Sequence, residues 1–123
     1  MSKNYSLMIL VAGPYRSGTG DSPELIAANV KAMTDTALEI YRMGHLPVLG
    51  EWFALPLLEA AGSKGPGDVI FNEIFHPVAV QLISHCDAVL RIGGPSQGAD
   101  EMVKTGRAKG KQIFLDKSEI PRL

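Results

Sequence analysis

The sequence predicts a single α/β domain in which helices cover both faces of a doubly wound, mostly parallel sheet. Three observations carry that reading. Two short apolar runs, Leu7-Met8-Ile9-Leu10-Val11-Ala12 and Ala88-Val89-Leu90-Arg91-Ile92, suit strands buried on both faces of a parallel sheet. Each run empties into a glycine-rich turn, Gly13-Pro14-Tyr15-Arg16-Ser17-Gly18 after the first and Gly93-Gly94-Pro95-Ser96-Gln97-Gly98 after the second. Strand-like and helix-like segments then follow in the order β-α-β-α-α-β-α-β, which right-handed crossovers fold into such a sheet.

Each element has a local reason. Leu7–Ala12 is the first strand. Ser22-Pro23-Glu24 starts a helix, with Ser22 as cap and Pro23 in the first turn. Ile26, Val30, Met33, Ala37 and Ile40 recur along it as one apolar stripe, and Gly44 is the stop. Leu46-Pro47-Val48-Leu49 is a short second strand whose proline belongs near its beginning. Glu51 to Ala61 is apolar and helical, with Pro56 expected to start, kink or interrupt it. Gly62 to Asp68 is a glycine-rich loop, expected to be mobile. Val69 to Ser84 reads as a helix with a second break near Pro77. The strand 88–92, a helix from near Gly98 to about Gly110, and a last strand Gln112–Leu115 complete the order.

Composition narrows the function classes. The chain has 123 residues, enough for one core, with 46% apolar and 20% charged residues and a net charge of −1. It lacks the basic stripe of a nucleic-acid binder and any apolar run long enough for a membrane span, so neither partner is expected. Leu7–Ala12 is too short for the core of a signal peptide, and one cysteine, Cys86, allows no internal disulfide. A cytoplasmic location is the expectation. His45, His76 and His85 are too widely spaced to suggest a metal site, and Cys86 reads as a buried thiol.

The turn after the second apolar run holds the most chemistry. Ligands of open α/β sheets sit beyond the carboxyl ends of the strands. There the glycines admit close backbone approach and Ser96 can cap the following helix. A helix start ordinarily attracts phosphate, but Asp100 and Glu101 already place negative charge in this first turn. They suit a group that develops positive charge; alternatively they complement the helix dipole, by about 0.3–1 kcal/mol each.

Val11-Ala12-Gly13-Pro14-Tyr15-Arg16, then Asn29, then Gly44 before a short strand resemble the opening of the nucleoside 2-deoxyribosyltransferase-like proteins. Cys86-Asp87-Ala88-Val89-Leu90 followed by Ser96-Gln97-Gly98-Ala99-Asp100 resembles that family's closing half, so the similarity spans about Leu7 to Leu115. The resemblance implies a five-stranded flavodoxin-like, Rossmann-like three-layer sandwich and a homo-oligomer without a cofactor. It also implies transfer or hydrolysis at the N-glycosidic bond of a deoxynucleoside or its 5′-monophosphate, through a carboxylate that attacks the anomeric carbon.

Three positions depart from the family pattern. In its Gly-Ala-x-x-Glu register the nucleophile position holds Met102, and Glu101 comes one residue early, a rotation of about 100° on a helix. The second family acid aligns with Ala79, and a first-strand tyrosine of some members aligns with Leu10. The catalytic candidates are therefore Glu101, Asp100 and Tyr15, with His76 as a further support. Gly13, Arg16, Asn29, Gly94, Ser96 and Gly98 are the substrate-binding candidates, Arg16 for a 5′-phosphate and Asn29 to orient the first turn. Trp52 and Phe53 stack on a base or pack at a subunit contact, and Asp87 ties down backbone at the strand start. A nucleotide-binding module that performs no turnover is the alternative. A phosphoribohydrolase of the cytokinin-activating type, which Gly93 to Glu101 loosely resembles, and a purely structural oligomer component are the others.

Overall fold

A computed structural model describes residues 5–123. The elements are β1 (Met8–Ala12), α1 (Pro23–Arg42), β2 (Leu46–Val48), α2 (Gly50–Ala60), α3 (Val69–Ser84), β3 (Ala88–Arg91), α4 (Gln97–Ala108), β4 (Gln112–Phe114) and a final 3-10 turn, Lys117–Glu119. Their order is the one the sequence predicts. The sheet runs β2-β1-β3-β4 and every neighbouring pair is parallel.

Alternation along the strands assigns the two faces. Ile9 and Val11 point to a core shared with Met33, Ala37 and Ile40 of α1. Leu10 and Ala12 point to the opposite core, shared with Leu82 and Ile83 of α3 and Ala99 and Met102 of α4. The result is three layers, with α2 packed chiefly on α3.

The described residues form four strands, not the five implied by the family resemblance. After β4 the Asp116 side chain accepts from Ser118 N at 2.9 Å and starts the 3-10 turn in place of a further crossover. The chain then returns beneath α1. Ile120 joins that core, Leu123 N donates to Met43 O at 2.9 Å, and Pro121 O lies 2.6 Å from His45 Nε2. Leu7 N donates to Nδ1 of the same imidazole at 3.1 Å, so Nε2 carries the proton and donates to Pro121 O. Buried His45 is thus a bridge between the first strand and the last segment.

Both internal prolines are accommodated without a break: α2 runs through Pro56 and α3 through Pro77. Each proline removes one helical donor, and the carbonyls deprived of it, on Trp52 and Glu73, belong to exposed residues where water can replace it. Pro47 is the middle residue of β2, an edge strand. Leu46 N bonds Leu7 O at 2.9 Å, so the next nitrogen, that of Pro47, faces away from the sheet.

The helix caps follow the sequence closely. Ser22 accepts from Leu25 N, and Ser96 accepts from Ala99 N at 3.2 Å, so α4 begins one residue before Gly98. The 62–68 loop is organised around Asp68, which accepts from Phe71 N at 2.7 Å, Lys64 N at 2.7 Å and the Ser63 hydroxyl at 3.0 Å. Those donors hold its carboxyl below the usual range. Asp87 accepts from Met8 N at 2.8 Å, fixing the start of β1 against β3. No helix among the described residues is long and apolar enough to cross a membrane.

Candidate functional site

Strand order reverses between β1 and β3. The chain leaves β1 for β2 on one side of the sheet, while β3 lies on the other side. Such a switch point leaves a crevice beyond the strand ends. Here the two glycine-rich turns meet. Gly93 has φ of 80°, and a Cβ on it would lie 2.6 Å from Pro14 Cδ. A Cβ on Gly13 would lie 3.0 Å from Ile92 Cγ1 and 3.3 Å from Ile92 O, so the first turn also sits directly on the second strand's end.

The cleft above them has a volume of about 250 Å³. Its floor is Ala12 and Gly13, and Tyr15, Arg16 and Ser17 form one side. Helix α3 contributes Phe71, Phe75, His76 and Ala79, and the start of α4 contributes Ser96, Gly98, Ala99 and Met102. Three rings make an aromatic wall: Tyr15 and Phe75 are 4.7 Å apart at their centroids, and Phe71 and Phe75 are 4.5 Å apart and nearly parallel. The Arg16 guanidinium lies 5.7 Å from the Phe71 ring centre. Its Nε and Nη2 also grip the Asp21 carboxylate at 3.0 and 3.1 Å, which orients the fork at the mouth of the cleft.

Several candidates support this frame from behind. Asn29 Nδ2 donates to Tyr15 O at 2.9 Å and fixes the first turn to α1. The Ser96 hydroxyl is occupied as the α4 cap. Gly94 is exposed, and its carbonyl accepts from Arg91 Nη2 at 2.8 Å. Arg91 also donates to Ile92 O, and its Nε pairs with Asp100 at 3.0 Å, so one guanidinium holds the whole second turn.

The two acids of α4 lie elsewhere. Glu101 is exposed and absent from the cleft lining, whereas its neighbour Met102 is buried and forms cleft wall. Asp100 is exposed and bound to Arg91. Of the catalytic candidates, only Tyr15 lines the cleft, joined there by His76. Leu10 is fully buried under α3 and α4. Trp52 and Phe53 are exposed on α2, away from the cleft.

One carboxyl beside the site was not singled out in the sequence. Glu51, in the first turn of α2, is 8% exposed. Burial pushes its carboxyl up to about 7, opposed only by a hydrogen bond from its own backbone N–H. Gly50, its neighbour, packs on cleft-lining Ala79: a Cβ on Gly50 would come 3.1 Å from the Ala79 Cβ. The Tyr15 phenol is pushed up first by its own burial and then by the Glu51 charge, with Arg16 opposing. Glu51 therefore acts electrostatically on the wall of the cleft. The signal was present in Leu49-Gly50-Glu51-Trp52-Phe53, a lone acid between apolar residues at a strand end. Phe71 and Phe75 were likewise legible as aromatics four apart on a helix, and Arg91 as a lone charge in an apolar strand.

Cys86 is buried, and burial together with Asp87 pushes its thiol up to about 11, which suits an inert core group. Among the described residues no three His, Cys, Asp or Glu gather where they could hold a metal ion. No protein-family model matches the chain, and no curated protein matches it.

Proposed function

We propose that the cleft binds a nucleoside or a nucleoside 5′-monophosphate, in keeping with the nucleoside 2-deoxyribosyltransferase-like resemblance. The observation that carries this reading is the pairing of an aromatic cluster with a helix start at one switch point. A base packs against the Tyr15, Phe71 and Phe75 cluster, and its sugar reaches the Gly98–Ala99 backbone at the start of α4. A 5′-phosphate meets Arg16 at the mouth. Transfer or hydrolysis at the N-glycosidic bond is the second reading, favoured by the buried Glu51 carboxyl beside a cleft that also holds Tyr15 and His76. Glu101 and Asp100, outside the cleft, are the weaker bearers of that chemistry. Self-association into a dimer or higher homo-oligomer, and a cytoplasmic setting, belong to the same proposal.

Calorimetric titration with deoxynucleosides and their monophosphates tests the binding. Phe75→Ala is expected to weaken every binder by about tenfold, the size of one lost stacking contact. Arg16→Ala is expected to weaken monophosphates and spare nucleosides. A panel in which nothing binds at millimolar concentration overturns the reading. Chromatography of the same mixtures for released base decides between binding and turnover, and Glu101→Gln shows whether the α4 acid takes part.

A further inference from the structure

With Asp100 and Glu101 exposed and Ala79 and Met102 apolar, no carboxylate among the described residues lines the cleft. Asp21, held on Arg16 at the mouth, is exposed, and among the described residues Glu51 is the only buried acid. It is more than nine-tenths buried, no side chain among the described residues donates to it, and its neighbour Gly50 is packed on Ala79. We infer that Glu51 provides the negative charge of this cleft, acting across the Tyr15 wall to favour a sugar ring that carries positive charge. The inference rests on the nucleoside reading above.

The chemistry follows from what happens to a nucleoside at its N-glycosidic bond. When that bond breaks, its electron pair leaves with the base, which takes up a proton. The anomeric carbon is left cationic until a water oxygen bonds to it and releases a proton, so hydrolysis balances in atoms and charge. A carboxylate held out of water acts over several ångströms, because little solvent screens it. Glu51 touches neither ring nor base in this arrangement, so it is a positioning residue. The other titratable groups at the cleft are Tyr15 and Arg16 from the β1 turn, Asp21 held on Arg16 at the mouth, and His76 from α3. Arg16 is already paired with Asp21, so the Glu51 charge is not neutralised by it.

The probe is a hydroxypyrrolidine nucleoside analogue with a methylene between the ring nitrogen and the base, whose amine stays protonated at pH 8 and mimics the cationic sugar, compared with the matching neutral deoxynucleoside. At that pH the wild type is expected to prefer the cationic probe by at least about tenfold, as a partly desolvated charge pair allows. That preference is expected to shrink as pH falls through 7 and Glu51 gains its proton. Glu51→Gln is expected to bring the ratio near one and flatten its pH profile, leaving affinity for the neutral nucleoside in place. Glu51→Asp restores part of the ratio, and Glu101→Gln leaves it alone. If the base is released, Glu51→Gln lowers kcat more than it raises KM. An unchanged ratio in a folded Glu51→Gln protein that still binds the neutral nucleoside overturns the Glu51 assignment alone. Failure of the wild type to bind either probe overturns the nucleoside reading and the assignment with it.

Discussion

Glu51 carries a cost that its surroundings make measurable. Its carboxyl is raised from the ordinary value to about 7, so the folded chain keeps a proton that the unfolded chain has lost. The sign is then fixed: between about pH 4.5 and 7 the native state binds more protons, and stability falls as pH rises. Replacing Glu51 with Gln removes that loss. The variant is expected to be more stable than the wild type at pH 8, by on the order of 2–3 kcal/mol, with the difference closing near pH 4.5. Denaturant melts at the two pH values check it, and equal stabilities at pH 8 would sink it. A residue retained at such expense is more often kept for a site than for the fold. The sequence showed the acid but not its burial, because burial depends on where α2 lands against α3 and the Tyr15 turn. The same limit applied at Asp100 and Glu101. Their spacing from Gly98 was plain, whereas the Arg91 guanidinium that captures Asp100 is a lone charge in a strand that was read for its apolar residues.

At the scale of elements, the site depends on two turns docking. Gly93 has a left-handed backbone and no room for a side chain beside Pro14. Gly93→Ala is therefore expected to lose about 1–3 kcal/mol of stability and to weaken any ligand of the cleft, since the Arg91 contacts to Ile92 and Gly94 must shift with the turn. Thermal melting of the variant, alongside the same titrations, checks both effects. The element order was legible because each strand and helix announces itself locally, through the apolar runs, the Ser22 and Ser96 caps and the Gly44 stop. Pro56 and Pro77 were harder to read. Whether an internal proline breaks a helix depends on whether the freed carbonyl can meet water, and that is a property of the packed molecule. The fifth strand was an expectation from resemblance alone. The final residues instead spend their apolar side chain, Ile120, on the core beneath α1.

At the scale of the whole molecule, one surface stands apart. Leu38, Tyr41, Leu46 and Trp52 are each between 41% and 65% exposed, and all four border one groove where α1, β2 and α2 come together. Apolar groups gathered in that way mark a contact more often than a free surface. If this face joins copies of the chain, Tyr41→Glu with Trp52→Glu is expected to reduce the sedimenting mass to that of a single chain while the far-UV spectrum is retained. An unchanged mass would move the contact elsewhere, and a wild type that already sediments as a single chain would end the proposal. The exposed Trp52 and Phe53 were read as either base-stacking or subunit-contact residues, and neither lines the cleft. The proline at the centre of β2 bears on the same face in another way. Because Pro47 offers no donor along the outer rim of the sheet, a neighbouring chain is poorly placed to extend the hydrogen-bond ladder there. Any union at this edge must rely on side chains, which are used up once a partner is seated. A strand arriving at the β2 rim thus meets a missing donor at its centre, which disfavours growth into fibrils from that edge of the sheet.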